Sequence, residues 1–444
     1  MHTTFSQKFH TRSLLKFAAP SICMMMLMSL YTIVDGIFVS RFVGSNALSS
    51  LNIVYPVINV VVAVGTMFAT GGNAIISRYL GEKRINEARM CLSEFVCIGF
   101  IFSVLVLILT QCFLTPISYF LGSNASLLED CNTYLSISMY FAPACMLQTL
   151  FQSYFVTSGN SKIGLSLSCI SGIFNVVFDY VFIVLFHMGI GGAALATGLG
   201  QVIPSVVGLY YFTFSMTKLK FCHFQFHIHE ITRACYNGSS EMVSQLSNAI
   251  MTYLFNIILM RLAGANGVAA ITILLYAQFL FNAFYLGLSI GISPIVGFKY
   301  GANKLKELKH IYKISFLFTA VSSVLIMIVA IFSSNALVGI FTKEIETYNL
   351  AVTGFKLFSI NFLFSGLNII SSGFFTALSN GKVSAIISFC RTLIFTSTSL
   401  LLLSSLFGLT GAWLAVPVAE ALTLILCVYL HLKYFLSSGE HRYF

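Results

Sequence analysis

The segment RFVGSNALSS, residues 41–50, returns as RLAGANGVAA at residues 261–270. The two copies lie 220 residues apart in a chain of 444 residues. Three further pairs repeat at nearly the same offset: Gly81 and Gly301, Asn160 and Asn380, and residues 189–197 and 408–416. Four matches in order at a nearly fixed offset indicate that one structural unit is used twice.

The composition is that of a membrane protein. Hydrophobic residues make up 57% of the chain, charged residues only 9%, and the mean hydropathy is +0.90. Soluble domains carry roughly 25% charged residues. Long apolar runs without strand alternation predict helical spans and exclude an outer-membrane barrel. Twelve spans are predicted, at 14–40, 47–77, 90–114, 131–157, 163–186, 190–214, 237–262, 267–298, 312–333, 350–378, 383–407 and 410–432.

Each copy of the repeat holds six of these spans. Six crossings return the chain to the side from which it started, so both copies have the same orientation in the membrane. We therefore expect an all-α protein with two six-helix lobes, related by a pseudo-twofold axis along the membrane normal. The predicted N-lobe is residues 1–216, the linker 217–236 and the C-lobe 237–444. This architecture is typical of transporters.

The basic residues set the predicted orientation. The net charge is +10, yet its distribution follows the membrane topology and does not indicate a nucleic-acid partner. With the N-terminus inside, 19 Lys and Arg residues fall on inside segments and 3, namely Arg41, Arg261 and Lys343, on outside loops. The positive-inside rule then places both termini in the cytoplasm. The first apolar run is too long for an export signal, so we interpret it as span 1.

Four acidic residues and one basic residue are counted within the predicted spans: Asp35, Asp179, Glu241, Glu420 and Arg391. At 1.5 Å per helical residue, Asp35 lies about 28 Å from the level of Lys16, and Asp179 about 25 Å from that of Lys162. The two carboxylates are therefore expected at similar depth on different helices. Asn175 lies one turn from Asp179 on the same face.

Such a group of oxygen atoms has three interpretations. The carboxylates can share a proton, because neighbouring acids make one of them hard to ionise. They can hold a monovalent cation such as Na⁺ through Asp35, Asn175 and Asp179. The group can also be a polar contact that fixes the packing of spans 1 and 5.

The other intramembrane charges point to different roles. Arg391 and Glu420 come out near the middle of the bilayer in neighbouring antiparallel spans, so we expect a structural ion pair. Glu241 lies a few residues into span 7, where it could gate, bind a cationic substrate or have no role. Polar and soft side chains suggest a cavity for bulky cations; the candidates for substrate contacts are Gln148, Gln152, Glu241, Gln278, Asn282 and Met26.

The loop CHFQFHIHE, residues 222–230, groups His223, His227 and His229. Metal binding there is an alternative, but an amphipathic connector at the membrane surface is preferred, so no metal site is predicted. The chain has no G-x-S-x-G, H-E-x-x-H or G-x-x-x-x-G-K-[ST] motif. We therefore expect no enzyme activity, no ATP-driven step and no cofactor.

The motifs IVDGIFVSRFVG (33–44), ALSSLNIVYPV (47–57) and GLTGAWLAVPVAE (408–420), within a 6 + 6 repeat, resemble the multidrug and toxic compound extrusion (MATE) family, closest to its MepA-like bacterial branch. The resemblance covers essentially the whole chain. It implies a secondary antiporter in the bacterial cytoplasmic (inner) membrane that exports small cationic amphipathic molecules in exchange for H⁺ or Na⁺ by alternating access. A monomer is expected.

The resemblance also implies an ion-coupling site in the N-lobe. Its positions match Asp35, Tyr31, Asn175, Asp179 and Thr197; the roles of Tyr31 and Thr197 rest on the resemblance alone. Span 10 has no carboxylate, which disfavours coupling through the C-lobe. The first alternative is a lipid-linked oligosaccharide flippase of the same superfamily, which should have a basic central cavity. A membrane-embedded acyltransferase and a channel are further alternatives.

Overall fold

A computed structural model of the chain describes residues 5–214, 217–223, 226–342 and 344–436. Lys343 and Arg442, which contribute to the predicted charge asymmetry, lie outside these ranges, as do Phe224 and Gln225 of the histidine-containing loop. The side chain of Arg41 is likewise outside the description. Within the described ranges the ordered elements are helices, and none is a strand.

The helices form twelve spans within the described residues, which confirms the predicted fold class. Spans 1 to 6 are Thr11–Phe38 with Val39–Val43, Ser45–Gly81, Ile85–Cys112, Leu128–Tyr140 with Ala142–Thr157, Ser161–Asp179 with Tyr180–Leu185, and Gly189–Phe214. Spans 7 and 8 share Ile228–Gly301, and span 9 is Leu305–Phe341. Span 10 comprises Ile345–Phe358, Ser359–Asn361 and Phe362–Ala377; spans 11 and 12 share Gly381–Phe389, Cys390–Phe395, Thr396–His431 and Leu432–Leu436. A short helix, Leu114–Phe120, follows span 3.

By length and hydropathy alone, nine described helical segments are able to cross a membrane. Two of them, Ile228–Gly301 and Gly381–Phe435, contain 74 and 55 residues, which is too long for one crossing of about 30 Å. Each is divided by a glycine with positive φ, Gly264 at 62° and Gly408 at 56°, a conformation that glycine adopts at no steric cost. Each is therefore two spans.

Span 4 differs from its prediction as one continuous helix over 131–157. It breaks at Phe141 into pieces of 13 and 16 residues. The break precedes Pro143, which occupies the first turn of the second piece. Proline is favoured there because it has no N–H to leave unpaired. Neither piece is long enough to cross a membrane by itself, so span 4 is not among the nine membrane-crossing segments counted above.

Two π-helical turns adjoin intramembrane charges. Tyr180–Leu185 follows directly after Asp179, and Cys390–Phe395 contains Arg391. A π turn carries an extra residue, and such turns occur frequently at functional sites. Span 5 and span 11 are thus locally widened where their charged side chains lie.

The two lobes meet at the end of the bundle where spans 2 and 8 finish, which we call the basic face. A Cβ on Gly81 would lie 2.1 Å from the carbonyl oxygen of Phe298, and one on Gly301 would lie 2.2 Å from that of Arg78. Gly81 and Gly301 are the repeat partners found in the sequence, so the two backbones approach each other symmetrically. The basic face carries Arg78, Lys83, Arg84, Lys299 and Lys304.

Candidate ion and substrate sites

Four of the five predicted ion-coupling residues meet between spans 1, 5 and 6. The carboxyl group of Asp35 lies close to the side chains of Asp179, Asn175 and Thr197. Asp179 is fully buried and Asn175 is 3% exposed. The equal depth that helix geometry predicts for the two aspartates is therefore accompanied by proximity of their side chains.

Hydrogen-bond donors are scarce around this group. Asn175 Nδ2 donates to Thr197 Oγ1 at 3.3 Å, which leaves the threonine hydroxyl hydrogen free to point at Asp35. Four buried oxygen atoms have no partner: Asp35 Oδ1, both carboxylate oxygens of Asp179, and Asn175 Oδ1. A buried acceptor without a donor costs about 1–3 kcal/mol. A proton shared between the acids, or a cation among the oxygens, would remove this cost.

Tyr31 stands one helical turn before Asp35, and its ring packs over span 5. A Cβ on Gly172 would lie 3.3 Å from the Tyr31 ring, so the absence of a side chain there leaves room for the ring. The Tyr31 hydroxyl lies near the side chain of Gln148 of span 4. Gln148 is only 4% exposed. This substrate-contact candidate is therefore joined to the predicted ion-coupling group through Tyr31.

A small cavity of about 40 Å³ adjoins Thr197 on the side facing spans 2 and 4. Its polar lining comes from Tyr134, Ser138, Thr197 and Gln201. A cavity that size with several polar partners is large enough for one or two water molecules. Water held there would lie beside Thr197.

In the second lobe, Arg391 and Glu420 form an ion pair. Arg391 Nε lies 2.8 Å and 3.1 Å from the two Glu420 oxygens, and its Nη2 lies 2.8 Å from Oε1. Asn368 of span 10 donates to Glu420 Oε2 at 2.7 Å and to the Glu420 backbone carbonyl at 2.9 Å. Glu420 is 4% exposed. The carboxylate is thus neutralised and held by two neighbouring helices.

The six substrate-contact candidates do not form one cluster. Gln152 is bonded weakly to Ser168 at 3.4 Å, and Met26 packs against the hydrophobic core. In the second lobe, Asn282 accepts a hydrogen bond from Ser365 at 3.2 Å. Gln278 and Glu241 are half-buried, and Glu241 lies in the electrostatic field of Arg391. The candidates therefore line two separate lobes, three in each.

Glu94 in span 3 is a charged residue that the sequence count of four intramembrane acids omits. It falls within the predicted span 90–114, and this position was the signal that could have identified it. Glu94 is 1% exposed, and its Oε1 accepts the backbone N–H of His227 at 2.9 Å and contacts His227 Nδ1 at 2.8 Å. His227 of the histidine-containing loop is thus engaged with span 3.

The rest of the connector follows the same side of the first lobe. Arg89 Nε donates to the Lys218 carbonyl oxygen at 2.7 Å, and the Cys222 N–H donates to Ser93 Oγ at 3.0 Å. A helix begins at Ile228, inside the predicted linker 217–236. The lobe boundaries themselves stay a prediction.

Comparison with known families gives two matches in the one chain. The MatE family model matches residues 20–181 and again residues 242–401, as a twofold repeat requires. The multidrug export protein MepA of Staphylococcus saprophyticus is 24% identical over 434 residues, covering 94% of this chain and 93% of the relative. MepA of Staphylococcus aureus is 23% identical with the same coverage.

Solved structures share the fold. An outward-facing multidrug resistance MATE family transporter has a TM-score of 0.90 at 18% identity, covering 96% of both chains. A transporter of the wider MOP superfamily from Pyrococcus furiosus, described as having reversed pocket polarity, scores 0.89 at 18% identity and covers 96% of this chain and 98% of its own. From the two family matches, the twelve spans and the relatives along nearly the whole chain, the protein belongs to the MATE family of membrane transporters.

Proposed function

We propose that this protein is a secondary active antiporter that exports cationic amphipathic drugs or metabolites in exchange for H⁺ or Na⁺. The observation that carries the proposal is the proximity of the Asp35 and Asp179 carboxyl groups, with four buried oxygens lacking a donor. An ionised carboxylate within a membrane is costly and usually functional. Here the orphan oxygens match the needs of a proton or a small monovalent cation.

In the proposed cycle, the ion enters from outside and neutralises the pair formed by Asp35 and Asp179. Neutralisation weakens the attraction of the N-lobe for a cationic substrate, which then leaves to the outside. The ion is released to the cytoplasm as the lobes rock about their interface and expose the other side. Thr197 and Asn175 hold Asp35 in place in both states, and Tyr31 links the site to Gln148.

The energy available is sufficient for export. When the ions that enter carry one more positive charge than the substrate that leaves, a potential of 100 mV supplies about 2.3 kcal/mol, which corresponds to a concentration gradient of roughly 40-fold. The membrane potential and the ion gradient therefore drive export without ATP.

Glu241 is our candidate contact for the cationic group of the substrate. Arg391 is paired with Glu420, so it does not pair with the carboxylate of Glu241 in the same lobe.

The basic face is proposed to be cytoplasmic by the positive-inside rule. Both termini are then in the cytoplasm, and the protein spans the bacterial cytoplasmic membrane. The proposed unit of transport is a monomer, with residues 1–216 and 237–444 as its two lobes. A flippase for lipid-linked oligosaccharides would need free basic groups in its cavity for pyrophosphate. Arg391 does not offer one, since three of its contacts are with the Glu420 carboxylate.

Reconstituted liposomes test the proposal. Efflux of ethidium is measured with a pH gradient or a Na⁺ gradient imposed separately. We expect stimulation by one gradient, lost in Asp35→Asn and in Asp179→Asn. Glu129, an exposed acid in the first turn of span 4, gives the control Glu129→Gln, which should transport normally. Full gradient-driven transport by Asp35→Asn would refute the coupling site, and no response of several cations to either gradient would favour the flippase.

A further inference from the structure

Lys299, at the end of span 8, is a buried cation that the proposed transport site does not use. Its side chain is fully buried. Its Nζ donates to the backbone carbonyl of Gln7 at 2.8 Å and to that of Ser6 at 3.4 Å, and it pairs with Glu307 at the start of span 9. The three acceptors match the three hydrogens of an ammonium group.

Two of these acceptors belong to the segment that precedes span 1, in the other lobe. Phe5 and Phe9 of this segment are each 3% exposed. The ring centroid of Phe5 lies 5.8 Å from that of Phe298 and 5.6 Å from that of Phe17. The segment therefore fills a pocket between span 1 and span 8, with Lys299 at its base.

The other half of the repeat has an equivalent contact. Tyr79 lies 220 residues before Lys299, at the end of span 2, and its hydroxyl donates to Glu230 Oε1 at 2.8 Å. Glu230 stands in the helical turns that precede the membrane part of span 7, and its repeat equivalent is His10, close to Gln7. In each lobe, the end of the second span thus holds the segment that leads into the first span of the opposite lobe.

These contacts sit at the point where the lobes are closest. Gly301, two residues after Lys299, has no room for a side chain against the backbone of Arg78, and Gly81 has none against that of Phe298. Separation of the lobes at this face would withdraw the carbonyl groups of Ser6 and Gln7 from Lys299. Glu307 would stay beside Lys299, because both belong to the second lobe.

We propose that Lys299 and Glu307 form a docking site for the N-terminal segment of the chain, and that occupation of this site holds the basic face closed. Release of residues 5–7 is then a step of each transport cycle, with the second lobe able to open only once Ser6 and Gln7 have left Lys299. The inference rests on the proposed alternating-access function, since it assigns the contact to one of its two states.

The test measures the distance between the lobes at the basic face. Lys162 and Lys382 are exposed, stand at the starts of spans 5 and 11, and are 220 residues apart. Spin-labelled non-natural amino acids at these two positions report the closed and open populations by pulsed electron spin resonance. The eleven native cysteines then need no replacement.

Lys299→Glu places a carboxylate against two carbonyl oxygens and Glu307, so we expect the ratio of closed to open molecules to fall on the order of tenfold. Deletion of residues 2–7 should shift the ratio in the same direction. The two changes combined should do little more than either alone, because both remove one contact. Lys304→Glu is the matched control, since Lys304 is exposed and lies 3.4 Å from the same Glu307.

An unchanged distance distribution in both the substitution and the deletion would overturn the inference, as would effects that add. If Lys299→Glu does not fold, the deletion alone decides. The distances are recorded without substrate or gradient, so they test the docking site separately from antiport. Absence of gradient-driven efflux with an intact shift in distances would refute the antiport proposal and leave the docking site standing.

Discussion

Asp35 and Asp179 stand on different helices, spans 1 and 5, yet their carboxyl groups lie close to each other and neither Asp179 oxygen has a hydrogen-bond donor. Unpartnered carboxylate oxygens destabilise the empty site, and a bound cation would remove this cost. An amide in place of one carboxylate would supply the missing donor. Stability and transport should therefore respond in opposite directions to the same substitution.

For Asp179→Asn we expect a free energy of unfolding about 1–3 kcal/mol higher than that of the wild type, because the amide donates to Asp35 and removes one buried charge. Gradient-driven efflux should be lost. Thermal unfolding in detergent and ethidium efflux from liposomes measure the two effects. Asn175→Asp, which adds another acceptor, is the opposite change and should lower the free energy of unfolding. A loss of stability in Asp179→Asn would contradict the conclusion that this group lacks a hydrogen-bond donor.

The Arg391–Glu420 pair is predicted to be structural. Arg391→Met should lower the free energy of unfolding by about 3–5 kcal/mol, because it leaves the buried Glu420 carboxylate without its counter-charge. The double variant Arg391→Met with Glu420→Gln should recover most of that loss, since no unpaired charge remains. Unfolding midpoints of the two variants measure this. Recovery of stability without recovery of efflux would show that the pair also takes part in transport.

Glu241→Gln tests the proposed substrate contact. The dissociation constant for a fluorescent cation such as ethidium should rise roughly tenfold, which is the order expected for loss of a charged partner. The dependence of transport on the driving ion should stay as in the wild type, because Asp35 and Asp179 are untouched. Fluorescence titration gives the affinity. A changed ion dependence with unchanged affinity would instead assign Glu241 to coupling.

Tyr79→Phe removes a single hydroxyl and with it the hydrogen bond to Glu230. The shift toward an open basic face should be smaller than that of Lys299→Glu, on the order of threefold in the population ratio. Distances between labels at positions 162 and 382 measure it. Tyr236→Phe, which removes the hydroxyl of an exposed tyrosine in the same helix as Glu230, is the control. An effect of Tyr79→Phe no larger than that of the control would assign the closure to Lys299 alone.

Much of the fold follows from local sequence properties. The spans are long apolar runs, which must be helical in a membrane because every backbone polar group needs a partner within the segment. The positions at which helices are interrupted are harder to predict from the sequence. Gly264 and Gly408 divide helices where the sequence shows ordinary turn residues, but the interruption of span 4 at Phe141 and the π turns at Tyr180–Leu185 and Cys390–Phe395 depend on packing against neighbours.

Only some features of the candidate ion site can be predicted from the sequence. Depth along a helix follows from a fixed rise per residue, so the common level of Asp35 and Asp179 could be calculated. The link from Tyr31 to Gln148, the contribution of Asn368 to the Glu420 carboxylate and the contact of Glu94 with His227 could not be. Each joins side chains on different helices, and which helices are neighbours is not written in the spacing of either one.

The sequence alone establishes a twelve-span helical membrane protein built from one unit used twice, and it identifies five charged residues within the spans but omits Glu94. The packing of the folded chain sets which of those charges meet, buries Lys299 beneath the N-terminal segment, and brings the lobes together at Gly81 and Gly301. Hydrophobicity and helical rise are local properties of the chain. The rotation of each helix and its choice of neighbours are set by packing among all twelve.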